Sequence, residues 1–141
     1  MTSGPTDEEY RRLLELRTGL RRFLHWSEDQ ARAEGITSAQ HQLLLAIRGH
    51  PDPLGPTVGE IADYLVIRHH SAVGLIDRAA AAGLVVREPD PRRPGTVRVR
   101  LTDRGREVLD SLSKLHLAEL ARLAPTMETL WGTLSRAAPD T

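Results

Sequence analysis

The chain has 141 residues, the usual size of one domain, long enough to bury a core but too short for a catalytic domain joined to a regulatory one. With 40% hydrophobic and 27% charged residues it excludes wholesale disorder; no apolar run approaches the roughly 18 residues of a membrane span, and Met1-Thr2-Ser3-Gly4-Pro5 is no signal-peptide pattern, so a cytoplasmic location is expected. The absence of cysteine excludes disulfides, thiolate zinc sites and thiol redox sensing, and a formal net charge of zero weighs at first sight against binding to phosphates.

Aromatic residues are scarce, so the core must come from Leu, Val, Ile and Ala, which favours a mainly α fold. Residues 7–34 contain no Gly or Pro except Gly19, and Tyr10, Leu13, Leu14, Leu20, Leu24, Ser27 and Ala31 recur at helical spacing. A second apolar line through Leu16, Leu20 and Phe23 widens the stripe beyond what one neighbour would cover. Such a helix, roughly 40 Å long at 1.5 Å per residue, needs a partner.

Thr37-Ser38-Ala39-Gln40 has the form of a capping box, in which the Thr side chain and the Gln side chain each satisfy an orphan backbone donor; a helix to about residue 47 is expected after it. Residues 49–56 are dense in Pro and Gly and predict a loop. Thr57-Val58-Gly59-Glu60 repeats the box and opens a short helix that buries Ile61, Ala62 and Leu65. A further helix over residues 69–82 buries Ala72, Leu75, Ile76 and Ala79, leaves His69, His70, Val73, Gly74, Asp77 and Arg78 on its other face, and stops at Gly83.

Strands are expected at residues 84–88 and 96–102 with a turn-rich tip between them. In the second, Val97, Val99 and Leu101 alternate with Arg98 and Arg100, which predicts one apolar and one basic face. Thr102 suits an N-cap for a helix to about residue 123, and Pro125 suits the first turn of another carrying Met127, Leu130, Trp131 and Leu134. These terminal helices carry more apolar surface than the central module can cover. The economical solution packs residues 1–36 and 103–141 together and against a second copy, with Tyr10, Leu13, Leu14, Leu120, Leu130, Trp131 and Leu134 in the interface.

The charge is unevenly placed. Residues 68–106 hold nine arginines against four carboxylates, so a local surplus of five offsets an acidic remainder. Helix, turn, helix and a hairpin with a cationic tip form a winged helix-turn-helix over residues 37–102. In that arrangement the second helix can enter the major groove of double-stranded DNA while the hairpin reaches phosphates or the minor groove. The expected DNA-contacting residues are Arg68, His69, His70, Ser71, Val73, Gly74 and Arg78 from the helix and Arg92, Arg93, Thr96 and Arg98 from the hairpin. Asp77 cannot favour phosphate and is expected to orient Arg78 or another Arg.

From about Tyr10 to Leu134 the sequence resembles the MarR family of regulators. The resemblance rests on Leu65-Val66-Ile67-Arg68-His69-His70-Ser71-Ala72-Val73-Gly74-Leu75-Ile76-Asp77-Arg78, on Gly83-Leu84-Val85 with Arg87, and on Asp90-Pro91-Arg92 leading to Val99-Arg100-Leu101-Thr102-Asp103-Arg104-Gly105. It implies a homodimer with entwined N- and C-terminal helices on a pseudo-palindromic operator, usually a repressor released by a small ligand. Two departures stand out. Arg68 occupies the place where members commonly have a capping Ser or Asp, and the tip has Arg93-Pro94-Gly95 where members usually have Asp-Arg-Arg or Asp-Lys-Arg, so the minor-groove residue is Arg92 or Arg93, or that contact is missing.

His25, Trp26 and His41 are the candidates for contacting a small aromatic or carboxylate effector, set against ordinary packing. No cofactor is expected. The pair His69-His70 makes a poor metal site, because adjacent helical residues point about 100° apart and no helical carboxylate or His four residues on completes a ligand set. No nucleophile and base, phosphate-cradling loop or metal triad marks an enzyme. The rival readings are a winged-helix module that binds a polypeptide and a DNA-binding protein without an effector.

Overall fold

The computed structural model describes residues 3–137. Its elements are α1 (Asp7–Ala33), α2 (Ser38–Gly49), α3 (Val58–Leu65), α4 (His69–Ala81), β1 (Val85–Pro89), β2 (Val97–Leu101) and α5 (Asp103–Ala137). They form two compact units, one of residues 3–29 with 114–137 and one of residues 30–113.

Local chemistry sets most of the helix starts in the unit of residues 30–113. The Gln40 amide donates to Thr37 Oγ1 (3.1 Å) and the Thr37 amide to Gln40 Oε1 (3.0 Å). The same reciprocal pair, Glu60 with Thr57, opens α3. Helix α4 starts without such help, since Arg68 at its N-cap makes no side-chain capping bond. Between them, Val66 ends α3 in the left-handed region at φ 54°, a conformation that a β-branched residue adopts only when its surroundings enforce it. The Ile67 amide, bonded to Ala62 O at 3.1 Å, closes that turn.

One core holds this unit together. Leu43, Leu44 and Ile47 of α2, Ile61 of α3, Ala72, Leu75, Ile76 and Ala79 of α4, and Leu84, Val85 and Val99 of the hairpin are buried in one cluster with Leu109 and Leu112. The antiparallel hairpin pairs Val85 with Leu101 through Pro89 with Val97, and the Val99 amide reaches across to Pro56 O at 2.9 Å. Gly55 permits this approach: its φ is +87°, and a Cβ there would stand 2.1 Å from Val99 O. Gly105 is bound in the same way, 2.1 Å being the distance of its virtual Cβ from Leu84 O. Thr102 caps the start of α5 through Oγ1, which accepts from the Gly105 amide at 3.0 Å.

The unit of residues 3–29 and 114–137 is entirely helical apart from its first residues. Thr6 and Glu9 form a third capping box, visible in the sequence as Thr6-Asp7-Glu8-Glu9, and α1 begins at Asp7, where the expected helix began. Phe23, Trp26 and His116 make a ring cluster, with the Trp26 and His116 centroids 4.8 Å apart, and His116 Nε2 lies 2.7 Å from Ser27 Oγ. No described apolar side chain of this unit is fully buried.

The C-terminal region differs from expectation. Instead of two helices meeting at Pro125, α5 is continuous with Pro125 inside it. Proline removes one backbone donor and crowds the preceding turn, but half-buried Leu123, Met127 and Leu130 continue the apolar face across it, and Met127 packs 3.6 Å from the position of a Gly19 Cβ. Among the described residues no helix is long and apolar enough to cross a membrane.

Candidate nucleic-acid interface

Helix α4 buries one face, Ala72, Leu75, Ile76 and Ala79, in the core, which turns the opposite face outward. His69, His70, Ser71, Asp77 and Arg78 are exposed and Val73 and Gly74 half-buried, so the helix residues expected at DNA lie together on one accessible surface. The Arg78 guanidinium folds back toward Gly74, its Nη1 only 3.2 Å from where a Cβ would stand. Asp77 takes Arg87 of β1 as its partner, which resolves the expectation for Asp77 in favour of another Arg over Arg78.

The hairpin departs further from expectation. Arg98, 8% exposed, does not sit on an open basic face. Its Nε donates to Asp90 Oδ2 (3.0 Å), its Nη1 to Gly55 O (3.2 Å) and Glu60 Oε1 (3.3 Å), and Asp52 Oδ2 lies 3.8 Å from Nη2. The face of β2 opposite the core is roofed by the 52–55 loop, the start of α3 and the hairpin tip, so strict alternation of buried and exposed residues fails. Arg98 is a structural cation and is removed from the DNA-contacting set.

Charge neutralisation extends along the wing. Arg92 Nη2 donates to Asp52 Oδ2 at 2.6 Å with its Nε 3.5 Å from Asp90 Oδ1, and Arg100 pairs with Glu88 at 3.1 Å. Asp52 is held below the usual carboxylate range by the Leu54 amide and then by Arg92, and Asp90 by the Arg92 amide and then by Arg98. Burial pushes Glu60 up, but the Thr57 amide and hydroxyl, His50 and Arg98 together outweigh it and leave its carboxyl lowered. His50 Nε2 stands 3.3 Å from Glu60 Oε2 and its Nδ1 2.8 Å from the Tyr64 hydroxyl.

Among the described residues, Arg68, Arg78 and Arg93 of the expected set carry no carboxylate partner, and Arg93 stands exposed at the tip beside Pro94 and Gly95. Thr96 spends its backbone on the turn, its carbonyl accepting from Asp90 (2.8 Å) and its amide donating to Arg93 O (3.1 Å). Counting charge along residues 68–106 missed Asp52 and Glu60, which only the fold brings to the wing. Of the effector candidates, His25 and Trp26 belong to the helical unit of residues 3–29 and 114–137, and His41, buried on α2, belongs to the other. Phe23 and His116, which were not among the effector candidates, stand against Trp26, and Ser27 bonds His116 in turn.

The sequence model of the MarR family matches residues 34–93. Over 82 residues the chain is 34% identical to the transcriptional activatory protein BadR of Rhodopseudomonas palustris, covering 58% of this chain and 47% of that protein. It spans less than half the length of the curated relatives it matches. Among solved structures, CouR of Rhodococcus jostii bound to p-coumaroyl-CoA is similar with a TM-score of 0.68 and 22% identity over 92% of both chains. A mutant of Staphylococcus aureus MepR bound to an oligodeoxyribonucleotide is similar with a TM-score of 0.65 and 17% identity, over 90% of this chain and 94% of that one. BadR is named a transcriptional activatory protein, and a second curated relative, YkoM of Bacillus subtilis, an uncharacterized HTH-type transcriptional regulator. Over residues 34–93 the sequence is similar to the MarR family, and the fold of the chain is similar to that of the CouR structure.

Proposed function

We propose that the chain is a transcriptional regulator that binds double-stranded DNA sequence-specifically as a homodimer. The observation that carries this is the joint presence, in one unit, of an outward α4 face and a wing tip with Arg93 free of carboxylates. An α-helix fits the major groove, so His69, His70, Ser71, Val73 and Gly74 are placed to meet base edges, with Arg68 and Arg78 at phosphates. Arg93, with Thr96 beside it, is suited to the minor groove, where a narrow width concentrates negative potential.

A second copy is supported by the exposed Tyr10, Leu13, Leu14, Leu120 and Trp131, with Leu130 and Leu134 half-buried alongside, in a unit that buries no apolar residue of its own. A two-fold dimer calls for a pseudo-palindromic operator with half-sites about one helical turn apart. The expected output is repression relieved by an effector. A reporter whose expression falls on deletion of the gene would assign activation instead, the role in the name of the BadR relative.

The test is fluorescence anisotropy with the chain's own promoter region and with random duplex across a salt series. Binding should favour the promoter and weaken steeply with salt. Equal affinity for both duplexes, or affinity indifferent to salt, overturns the reading and points to the polypeptide-binding alternative.

For the effector, the supporting observation is a cavity of about 420 Å³ lined by Arg21, Arg22, His25, Trp26 and Asp29. Two guanidiniums and an indole suit an aromatic carboxylate. CouR is named as bound to p-coumaroyl-CoA, itself an aromatic acyl ester.

A further inference from the structure

We propose that Asp52 tethers Arg92 to the protein, so that Arg93 alone carries the cationic charge of the wing tip to DNA and Asp52 thereby limits non-specific binding. This rests on the DNA-binding reading above. It concerns a residue of the α2–α3 loop that is remote in sequence from the winged hairpin.

The two adjacent arginines are held differently. Arg92 is gripped by carboxylates from two separate segments, Asp52 Oδ2 at 2.6 Å and Asp90 Oδ1 at 3.5 Å, and its own amide is bound to Asp90 Oδ1 at 2.8 Å. Arg93 has no such partner among the described residues. Asp52 is itself fixed, because its Oδ1 accepts from the Leu54 amide at 3.0 Å, its carbonyl accepts from the Gly55 amide at 3.0 Å, and Pro51 and Pro53 flank it. Swinging Arg92 onto a phosphate would exchange one charge-assisted hydrogen bond for another and uncover two carboxylates beside the DNA backbone. The exchange gains nothing, so Arg92 stays.

Phosphate neutralisation raises affinity for every sequence alike, whereas base contacts do not, so a withheld cation lowers the non-specific background against which the operator competes. The exposed Arg92–Asp52 pair adds little to folding stability, and its effect is one of position.

The experiment measures the salt dependence of binding to random duplex by the full chain and four variants. Arg93→Ala should flatten the slope of log affinity against log salt by about 0.9, the loss of one phosphate contact, and Arg92→Ala should leave the slope unchanged. Asp52→Asn, which keeps the amide oxygen for Leu54, should steepen the slope by about 0.9 and raise affinity for random duplex about fivefold at 0.15 M salt. Asp52→Asn combined with Arg92→Ala should return the slope to that of the unsubstituted chain.

If Arg92→Ala loses as much slope as Arg93→Ala, or Asp52→Asn matches the parent, the tether is wrong while DNA binding stands. If the parent chain itself binds without salt dependence, the DNA-binding reading fails and the tether with it. Should Asp52→Asn not fold, as judged by circular dichroism, the contrast between the two arginine variants decides alone.

Discussion

Around the single guanidinium of Arg98 stand Asp90 and Glu60, with Asp52 further off, and all three carboxyls titrate below their ordinary range. Lowered folded-state values mean that the unfolded chain binds more protons. Stability from this cluster is therefore complete above the ordinary carboxylate range, near pH 4, and is lost as pH falls through the lower folded values. The thermal midpoint of the unit of residues 30–113 should accordingly hold steady down to about pH 5 and then drop. Calorimetry from pH 6 to pH 3 checks this, and a flat profile would contradict it. None of this cluster was visible in the sequence, because its acids come from positions 52, 60 and 90 and converge only in space. What the sequence does convey at this scale is the missing cap at Arg68, since a capping residue acts on amides within its own first turn and nothing distant is needed to judge it.

At the scale of elements, the turn between α3 and α4 holds Val66 in a left-handed conformation with 89% of its surface exposed, so the residue is strained without packing in return. Val66→Gly should stabilise the chain by about 1 kcal/mol in urea denaturation, the relief of strain exceeding the extra freedom that glycine gives the unfolded chain. A loss of stability would show that the valine side chain makes a contact the turn depends on. The starts of α2 and α3 were legible to the residue because a capping box is complete within four positions. The end of a helix at Pro125 was misjudged for the converse reason: proline's local cost was weighed, while the apolar face that carries α5 past it depends on partners such as Gly19 far along the chain. In β2 the pattern was right about Val99 and wrong about Arg98, because periodicity reports which side chains share a face and not whether something else covers it.

At the scale of the whole molecule, burial is lopsided. The unit of residues 30–113 contains every buried apolar residue described, while the other leaves Leu14 and Trp131 about two-thirds exposed. Leu14→Glu or Trp131→Glu should convert the proposed homodimer to a monomer in sedimentation at micromolar concentration, weaken operator binding by more than tenfold through the lost second half-site, and leave residues 30–113 folded. A parent chain that sediments as a monomer would remove the basis of the prediction. The excess apolar surface of the terminal helices grouped these dimer candidates in the sequence, but periodicity alone did not show that no apolar side chain of the unit of residues 3–29 and 114–137 would be fully buried.

That imbalance bears on gene dosage. On the proposed pairing, a unit that completes its burial against a second copy makes the DNA-competent form second order in the number of chains a cell contains. Where copies are few, doubling expression should raise the paired form up to about fourfold, by mass action alone. The promoter it controls would then respond to the regulator's abundance with a threshold even if the operator had a single site and no effector were present.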